Sequence, residues 1–346
     1  MVFKTLHPRV KALSEERFEA ATAVQEKAFA PILGGKNTLV IAPTGIGKTE
    51  AALLPIFSLM LREKEKIGKS APKAGGMPAA KPAASPQKGP RAPGISVIYI
   101  TPLKALNRDL LSRIEWWAEH LDIHAEVRHG DTTPYQRSKQ AKNPPELLIT
   151  TPETLQSILP AKRMGQHLTS VRHVVVDEIH ELVESKRGTQ LSIALERLVE
   201  RAGEFQRIGL SATVGSPKIT SSFLVGARGV ETVDVSMARP LDLSVELPSA
   251  TKKDKSLINT LHMRPSTIAR LRRLHALVDA HKAVLSFVNT RSMAELLTSR
   301  YAAWDVHNKI QVHHSSLSKD VRLVAEQSFK DGSIKGLIST SSLELG

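Results

Sequence analysis

The stretch TLVIAPTGIGKT, residues 38–49, joins an apolar run to a glycine-containing loop that opens a helix. A strand, a glycine turn and a helix in this order are typical of a phosphate-binding loop in an α/β fold. Glycine lets backbone N–H groups turn toward phosphate oxygens, a lysine supplies charge to the terminal phosphates, and a threonine hydroxyl is a ligand for Mg²⁺. The sequence therefore predicts a nucleotide site formed by Thr44, Gly45, Gly47, Lys48 and Thr49.

Short apolar runs alternate with helical patterns along the rest of the chain. The predicted strands of the first part are TLVIA (38–42), ISVIYI (95–100), AEVRH (125–129), ELLITT (146–151), VRHVVVDE (171–178) and RIGLSAT (207–213). They are nearly continuous Val, Ile and Leu, as expected where helices cover both faces of a sheet. The pattern breaks near residue 240 and restarts with three further strands. We therefore predict an α/β doubly wound parallel sheet in residues 1–238 and a smaller domain in residues 239–346.

Residues 67–94, IGKSAPKAGGMPAAKPAASPQKGPRAPG, interrupt the globular pattern. They contain six Pro, five Gly, seven Ala and five Lys or Arg but no acid, so they cannot bury enough apolar surface to offset the entropy of ordering. We predict a disordered insertion in the first domain. This segment supplies five of the fourteen net positive charges, which leaves the remainder of the chain at +9.

The charge and the residue types that are missing restrict the function class. A net charge of +14 favours a polyanionic partner, with nucleic acid ahead of a membrane surface. No apolar run approaches the roughly 20 residues that span a bilayer. Cysteine is absent, which excludes disulfides and thiolate metal sites and fits a reducing compartment. These features predict a cytoplasmic protein that binds nucleic acid and no membrane.

A second candidate element, Asp177-Glu178-Ile179-His180, ends the apolar run VRHVVVDE. An acid at the carboxyl end of a parallel strand lies beside the loop that follows a neighbouring strand, where nucleotides bind. Asp177 is predicted to hold Mg²⁺, and Glu178 to orient and deprotonate the attacking water. The alternative is that the two acids only start a helix. A second His is missing after His180, so the H-E-x-x-H zinc motif is rejected.

In their order, these elements resemble superfamily 2 helicases with a DExH box, and in detail the Lhr (large helicase-related) group. Gln25, twenty-three residues before Lys48, resembles the Q motif, whose glutamine reads the adenine edge. Phe18 is a candidate to stack nearby, with plain core packing as the equal alternative. Ser211, Ala212 and Thr213 resemble motif III, which couples the state of the nucleotide to the grip on nucleic acid.

Further segments resemble the family's strand-contacting motifs: TPLKAL (101–106), TPETL (151–155), SFVNTRSMAELL and ISTSSLELG. Thr-Pro pairs start helices whose free N–H groups and positive dipole ends attract phosphates, and Lys and Arg add charge. Such contacts follow a single strand without reading its bases, and the low aromatic content of 4% argues against base stacking as the main grip. The predicted contacts are Thr101, Pro102, Lys104, Arg108, Thr151, Pro152, Glu153, Thr154, Thr290, Arg291, Thr340 and Ser341.

The resemblance implies two RecA-like doubly wound domains in tandem, the second incomplete, with ATP and Mg²⁺ as cofactors. It implies catalysis by Lys48, Asp177, Glu178 and His180. It also implies a monomeric enzyme that moves 3′ to 5′ on single-stranded DNA or RNA or on tailed duplexes, in DNA repair or recombination. The sequence stops within the family's motif V at Gly346. We therefore expect a truncated chain that binds ATP and single strands but turns over slowly, because the family's arginine finger lies in the later motif VI.

Three alternatives remain open from the sequence. The chain is a DEAD-box-like RNA helicase, or a module that binds nucleotide and nucleic acid without turnover, or a P-loop ATPase that acts on a protein or metabolite. Ala42 stands where the general phosphate-loop pattern has glycine, but a small side chain can pass there, and the helicase version of this loop commonly has Ala. The alternative for the loop itself is a chance glycine turn.

Overall fold

The computed structural model describes residues 2–70, 94–102, 108–212, 215–235, 243–305 and 310–340. The chain separates into two units, Met1–Arg239 and Pro240–Gly346. Within the described ranges, every helix is too short or too polar to cross a lipid bilayer.

Unit 1 is built on a parallel sheet of seven strands in the order β3-β4-β2-β5-β6-β1-β7. Its strands are β1 Thr38–Ile41, β2 Val97–Ile100, β3 Ala125–Arg128, β4 Leu147–Thr150, β5 His173–Val176, β6 Gln206–Ser211 and β7 Glu231–Asp234. Its helices are α1 Pro8–Arg17, α2 Ala23–Leu33, α3 Lys48–Ser70, α4 Arg108–His120, α5 Pro134–Lys142, α6 Pro152–Ile158, α7 His180–Val183, α8 Lys186–Ala202 and α9 Pro217–Val225.

Both faces of the unit 1 sheet are covered. Alternate residues of each central strand enter two separate apolar cores, one with α2, α3 and α4 and the other with α6, α8 and α9. In β2, for example, Tyr99 lies in the first core and Ile98 in the second. A strand buried on both sides must be apolar throughout, which is why the sequence of these strands does not alternate. The prediction of an α/β doubly wound parallel sheet is confirmed.

Two features of unit 1 differ from the sequence prediction. Strand β7 was not predicted, because it pairs only with β1 at the sheet edge and Val233 is its one buried residue. Helix α3 runs to Ser70, so residues 67–70, predicted as the start of the insertion, are helical. The rest of the predicted insertion, residues 71–93, lies outside the described residues.

Unit 2 contains a parallel sheet of three strands in the order β8-β10-β9. Its elements are α10 Lys252–Ser256, α11 Ile258–Leu261, α12 Pro265–Ala280, β8 Val284–Phe287, α13 Arg291–Trp304, β9 Ile310–His313, α14 Lys319–Lys330 and β10 Gly336–Ser339. The main apolar core joins α11, α12 and α13 to the sheet. All three strands match those that the sequence predicted.

The three tryptophans of the chain are divided between the two units. Trp117 is buried in the core of unit 1, and Trp116 packs edge-on against it with ring centroids 4.9 Å apart. The guanidinium of Arg17 lies 4.2 Å from the centroid of the Trp116 ring. In unit 2, Trp304 packs against the ring of His275 at 5.0 Å.

Candidate active site

The phosphate loop lies between β1 and α3. Gly45 and Gly47 have φ angles of 78° and 87°, in the left-handed region that side chains rarely adopt. Lys48, only 7% exposed, is the first residue of α3, and its Nζ donates a hydrogen bond of 2.9 Å to the carbonyl of Ala42. The ammonium is therefore held across the loop, on the side where the free N–H groups of α3 begin. Thr49 is half-buried beside it, and Thr44 is exposed at the tip of the loop.

Gln25 lies against the phosphate loop. It forms a capping box with Thr22: the Thr22 N–H donates to Gln25 Oε1 at 3.0 Å, and the Gln25 N–H donates to Thr22 Oγ1 at 3.5 Å. A Cβ on Gly47 would come within 2.9 Å of Gln25 Nε2, so this glycine is needed for the close approach. The buried amide therefore joins the start of α2 to the loop, and its contact with adenine stays a prediction.

Phe18 packs within the core of unit 1. Its ring stacks on Phe3 and Trp117, with centroids 6.4 Å and 6.1 Å away. This arrangement is the core packing that the sequence left as one of two possibilities.

Asp177 follows β5 and is 7% exposed. Its Oδ2 accepts a hydrogen bond of 2.6 Å from the Tyr99 hydroxyl, and its Oδ1 accepts one of 2.9 Å from the Glu178 N–H. Burial and the neighbouring Glu178 raise the pKa of Asp177 to about 6, although Tyr99 and Lys48 oppose the shift. Burial and the charge of Asp177 also raise the pKa of Tyr99, and the nearby Thr49 side chain opposes that rise. The Tyr99 hydroxyl therefore bonds to Asp177 and lies near Thr49.

Glu178 has a strained backbone. Its φ is 43°, a conformation that costs energy for a residue with a side chain and that is common at functional sites. The turn is held by the next residue, Ile179, whose N–H donates to the carbonyl of Leu210 on β6 at 2.9 Å. Burial raises the pKa of Glu178, and the charge of Lys48 opposes that shift. Glu178 Oε2 is buried and has no hydrogen-bond partner among the described residues.

A divalent cation fits this group of residues. The charge of Lys48 does not offset the burial of the Asp177 carboxylate, whose pKa stays raised, and the buried Glu178 Oε2 has no hydrogen-bond partner among the described residues. Carboxylate and hydroxyl oxygens are the ligands that Mg²⁺ prefers. Thr49 and Asp177 are therefore the residues of this site that could hold Mg²⁺, with Glu178 facing the same space.

His180 connects the acidic segment to β6. Its Nδ1 accepts a hydrogen bond from the Ala212 N–H at 3.3 Å and lies 3.4 Å from the Ser211 hydroxyl. The same nitrogen is 3.5 Å from Glu178 Oε2. Burial lowers the pKa of His180, so the imidazole is neutral at pH 7, with its proton on Nε2. The structure thus brings together His180, Ser211 and Ala212, whereas Thr213 lies outside the described residues.

Asp177→Asn is expected to stabilise the free protein at neutral pH. The pKa of about 6 in the folded state exceeds the usual 3.8, so the folded form loses stability as pH rises through 6 and the buried carboxyl ionises. Asparagine avoids this cost, and we expect a gain of about 1 to 3 kcal/mol at pH 7 that mostly disappears toward pH 4. Urea unfolding in EDTA at both pH values measures it. Asp131→Asn, at an exposed acid, is the control, and an equal gain at both pH values would contradict the shift.

The predicted strand contacts of unit 1 follow β2 and β4. Thr101, Thr151 and Thr154 are buried, and Thr151 caps α6 by accepting a hydrogen bond of 3.4 Å from the Thr154 N–H. The Thr151 hydroxyl donates to Thr154 Oγ1 at 3.1 Å. The hydroxyls of Thr151 and Thr154 therefore stabilise the start of α6. The contact of these threonines and of Thr101 with phosphate stays a prediction. Pro102 and Pro152 are buried beside them, while Lys104 and the side chain of Arg108 lie outside the described part of the chain.

Glu153 has a cationic partner that the sequence did not suggest. Arg187 Nε donates to Glu153 Oε1 at 2.5 Å, and Nη2 donates to Oε2 at 3.2 Å and to the Pro102 carbonyl at 2.5 Å. The hydrogen bond from Arg187 lowers the pKa of Glu153. Because these residues are far apart in sequence, only the pairing of β2 with β4 and β5 could have revealed the contact.

The predicted contacts of unit 2 lie at the carboxyl ends of its strands. Thr290 caps α13, and Arg291 is exposed and donates to the hydroxyls of Ser316 and Ser315 at 2.6 Å and 2.7 Å. Thr340 follows β10, and its N–H donates to the His313 carbonyl at 3.3 Å. Ser341 lies outside the described residues. The two serines were missed as candidate site residues, although they end the segment IQVHHSS that the sequence predicted as a strand.

The comparisons with known proteins match both units. The family described as DEAD/DEAH box helicase matches residues 22–221, and the helicase conserved C-terminal domain matches residues 266–346. The ATP-dependent helicase Lhr-Core of Methanothermobacter thermautotrophicus is 37% identical, over 100% of this chain and 39% of that protein. The Lhr helicase/uracil glycosylase of Escherichia coli is 31% identical, over 95% of this chain and 24% of that protein.

Among solved structures, the Mycobacterium smegmatis helicase Lhr bound to ssDNA and AMP-PNP is similar with a TM-score of 0.74. It is 33% identical, over 98% of this chain and 42% of that chain. The chain therefore spans less than half the length of the Lhr proteins that it matches.

Proposed function

The chain belongs to the DEAD/DEAH box helicase family, and from that membership we propose that it is part of an ATP-driven motor that moves along single-stranded nucleic acid and separates duplexes. Similarity to Lhr helicases along the whole chain supports the proposal. The relative solved with ssDNA and AMP-PNP supports ATP as the fuel and single-stranded DNA as the track. We propose 3′ to 5′ movement on the resemblance to the same group.

The observation that carries the proposal is the convergence of the phosphate loop and the acidic segment. Tyr99 donates a hydrogen bond to Asp177 and lies near Thr49, and the charge of Lys48 acts on both Asp177 and Glu178. A loop with a lysine, a buried acid and a second acid whose Oε2 has no hydrogen-bond partner among the described residues form an arrangement that can bind a nucleoside triphosphate and hydrolyse it.

Each residue of this group has a task in the proposed reaction. Lys48 exchanges its bond to the Ala42 carbonyl for the terminal phosphates of ATP. Thr49 and Asp177 hold Mg²⁺, which when bound neutralises phosphate charge. Glu178 orients a water and takes its proton as the water oxygen bonds to the γ-phosphorus and the bond to the leaving ADP breaks. Its raised pKa makes it a stronger base than an ordinary carboxylate.

His180 connects Glu178 with residues 211–212 at the end of β6. It lies next to Glu178 and accepts a hydrogen bond from Ala212, so a shift of residues 211–212 moves the histidine against the general base. We propose that this contact couples hydrolysis to the grip on nucleic acid. The histidine is a positioning residue in this scheme, since its Nδ1 is already occupied.

The setting of the motor belongs to the same proposal. The name of the Escherichia coli relative joins a helicase to a uracil glycosylase, which supports a setting in DNA repair. A monomer in the cytoplasm fits a protein that tracks one strand of cellular DNA. The positive charge of the chain, +14 in total, supports binding to a polyanion.

The deciding experiment is steady-state ATP hydrolysis with Mg²⁺, measured alone, with single-stranded DNA and with RNA of matched sequence. We expect DNA to raise the rate more than RNA does. A larger effect of RNA would instead favour the DEAD-box-like RNA helicase. Binding of both ligands without turnover would favour a binding module, and no response to either polynucleotide would favour an ATPase with a protein or metabolite partner.

A further inference from the structure

We propose that Arg187 is a positioning residue for the binding of single-stranded nucleic acid. Its side chain joins the loop after β2 to the start of α6, the two segments of unit 1 that are proposed to contact the nucleic-acid backbone. The inference rests on the proposed function, since it concerns how the proposed track is shaped. It assigns to Glu153 a different task from the phosphate contact that its place in TPETL suggested.

The geometry of the guanidinium supports this role. Arg187 reaches Glu153 on α6 through Nε and Nη2, and it reaches the Pro102 carbonyl after β2 through Nη2. Planar donors of arginine match a carboxylate in this two-point manner, and lysine cannot reproduce it. One side chain therefore holds the loop after β2 and the start of α6 at a fixed separation.

The position of Arg187 in α8 indicates that this residue does not stabilise the helix itself. It lies in the first turn of α8, which holds two cations, Lys186 and Arg187, and no acid. Cations at a helix N-terminus oppose the helix dipole and lower helix stability. The arginine is thus placed against the local preference, and its contacts with Glu153 and Pro102 supply the compensation.

Two contacts hold the start of α8, which carries Arg187, in place. Ser185 caps the helix by accepting a hydrogen bond of 3.0 Å from the Gly188 N–H. A Cβ on Gly188 would lie 1.8 Å from the Leu182 carbonyl oxygen, so only glycine allows α8 to begin this close to α7. The backbone that carries Arg187 therefore has little freedom to move away from α7.

The same contact removes a repulsive charge from the proposed track. A free carboxylate at Glu153 would repel phosphates, but the bond to Arg187 neutralises it and lowers its pKa. The pair consequently presents no net charge to the strand. Its contribution to binding is the geometry of the two segments and not a contact with a phosphate.

The experiment measures the dissociation constant of the protein for a fluorescent single-stranded DNA between about 50 and about 200 mM salt. Arg187→Gln should weaken binding about tenfold, because the charged hydrogen bonds to two segments are lost. In the double variant Arg187→Gln/Glu153→Gln, which leaves no unpaired carboxylate, the slope of log affinity against log salt should stay unchanged, whereas loss of a phosphate contact would reduce it by about 0.7. Arg187→Lys should resemble Arg187→Gln, because the ammonium cannot form the two-point contact.

Lys186→Gln is the matched control, since it removes the same charge from the neighbouring exposed residue. It should change affinity by no more than about threefold. Glu153→Gln should weaken binding as Arg187→Gln does, and the double variant should be no weaker than either single one. The affinity for an ATP analogue should remain that of the wild type in all five variants.

Four results would overturn the inference. They are a reduced salt slope in the double variant, tighter binding in Glu153→Gln, a parallel loss of ATP-analogue affinity that reveals a general structural role, and unchanged binding in Arg187→Gln. If the wild type binds DNA and Arg187→Gln binds it equally well, the proposed positioning role of Arg187 is wrong and the proposed function stands. If the wild type binds no strand at all, the proposed function itself fails.

Discussion

Lys48→Ala is expected to abolish measurable ATP binding. The Lys48 ammonium is buried at the start of α3 and crosses the phosphate loop to the Ala42 carbonyl. The proposed contact with the triphosphate is a charge pair in a site of low dielectric, and truncation of one partner of such a pair costs about 2 to 5 kcal/mol. We therefore expect the dissociation constant to rise by about 30-fold to about 4,000-fold.

Titration calorimetry with a non-hydrolysable ATP analogue and Mg²⁺ measures this effect. Lys36→Ala is the control, because Lys36 is an exposed lysine just before β1 that pairs with Glu231 on β7. It should bind the analogue like the wild type. The affinity of Lys48→Ala for single-stranded DNA without nucleotide should be preserved, which separates loss of the pocket from loss of the fold. Tight analogue binding by this variant would remove the phosphate role from Lys48.

Glu178→Gln is expected to separate binding from hydrolysis. The substitution keeps the shape of the side chain but removes the base, and loss of general base catalysis lowers turnover by about 10² to 10⁴. Binding should remain, because the loop and Asp177 are unchanged. Rapid-quench hydrolysis in a single turnover, together with analogue titration, gives both quantities.

Glu181→Gln is the matched control for this variant. Glu181 is exposed and also faces His180, with its Oε1 3.6 Å from His180 Nε2, but it follows the strained turn. It should retain most of the hydrolysis rate. If Glu178→Gln lost analogue affinity as well, the carboxylate would be structural, and its φ of 43° would then reflect folding and not catalysis.

The sequence was most informative where local pattern and burial coincide. Strands β1, β2, β4 and β5 are buried on both faces, so each is a continuous apolar run that no solvent-exposed segment would tolerate. Edge strand β7 carries no such signal, since ETVD buries little more than Val233. The phosphate loop and the acidic segment could be predicted because each directly follows a strand, so the local sequence is enough to place it at a strand end.

Contacts between distant residues could not be read in the same way. The role of Tyr99 depends on the register that sets it opposite Val175, two residues before Asp177. Arg187 and Glu153 are joined across 34 positions of sequence. Burial of the threonines after β2 and β4 was likewise hidden, because threonine is equally common as a cap and as a surface donor.

The tryptophans give each unit its own optical signal. Trp116 and Trp117 belong to unit 1, and Trp304 belongs to unit 2. A chain of two units need not unfold in a single step, and one melting curve would then average two events. In Trp304→Phe, all tryptophan emission would come from unit 1, which contains the phosphate loop. Its denaturation could then be followed by fluorescence while circular dichroism reports on the whole chain.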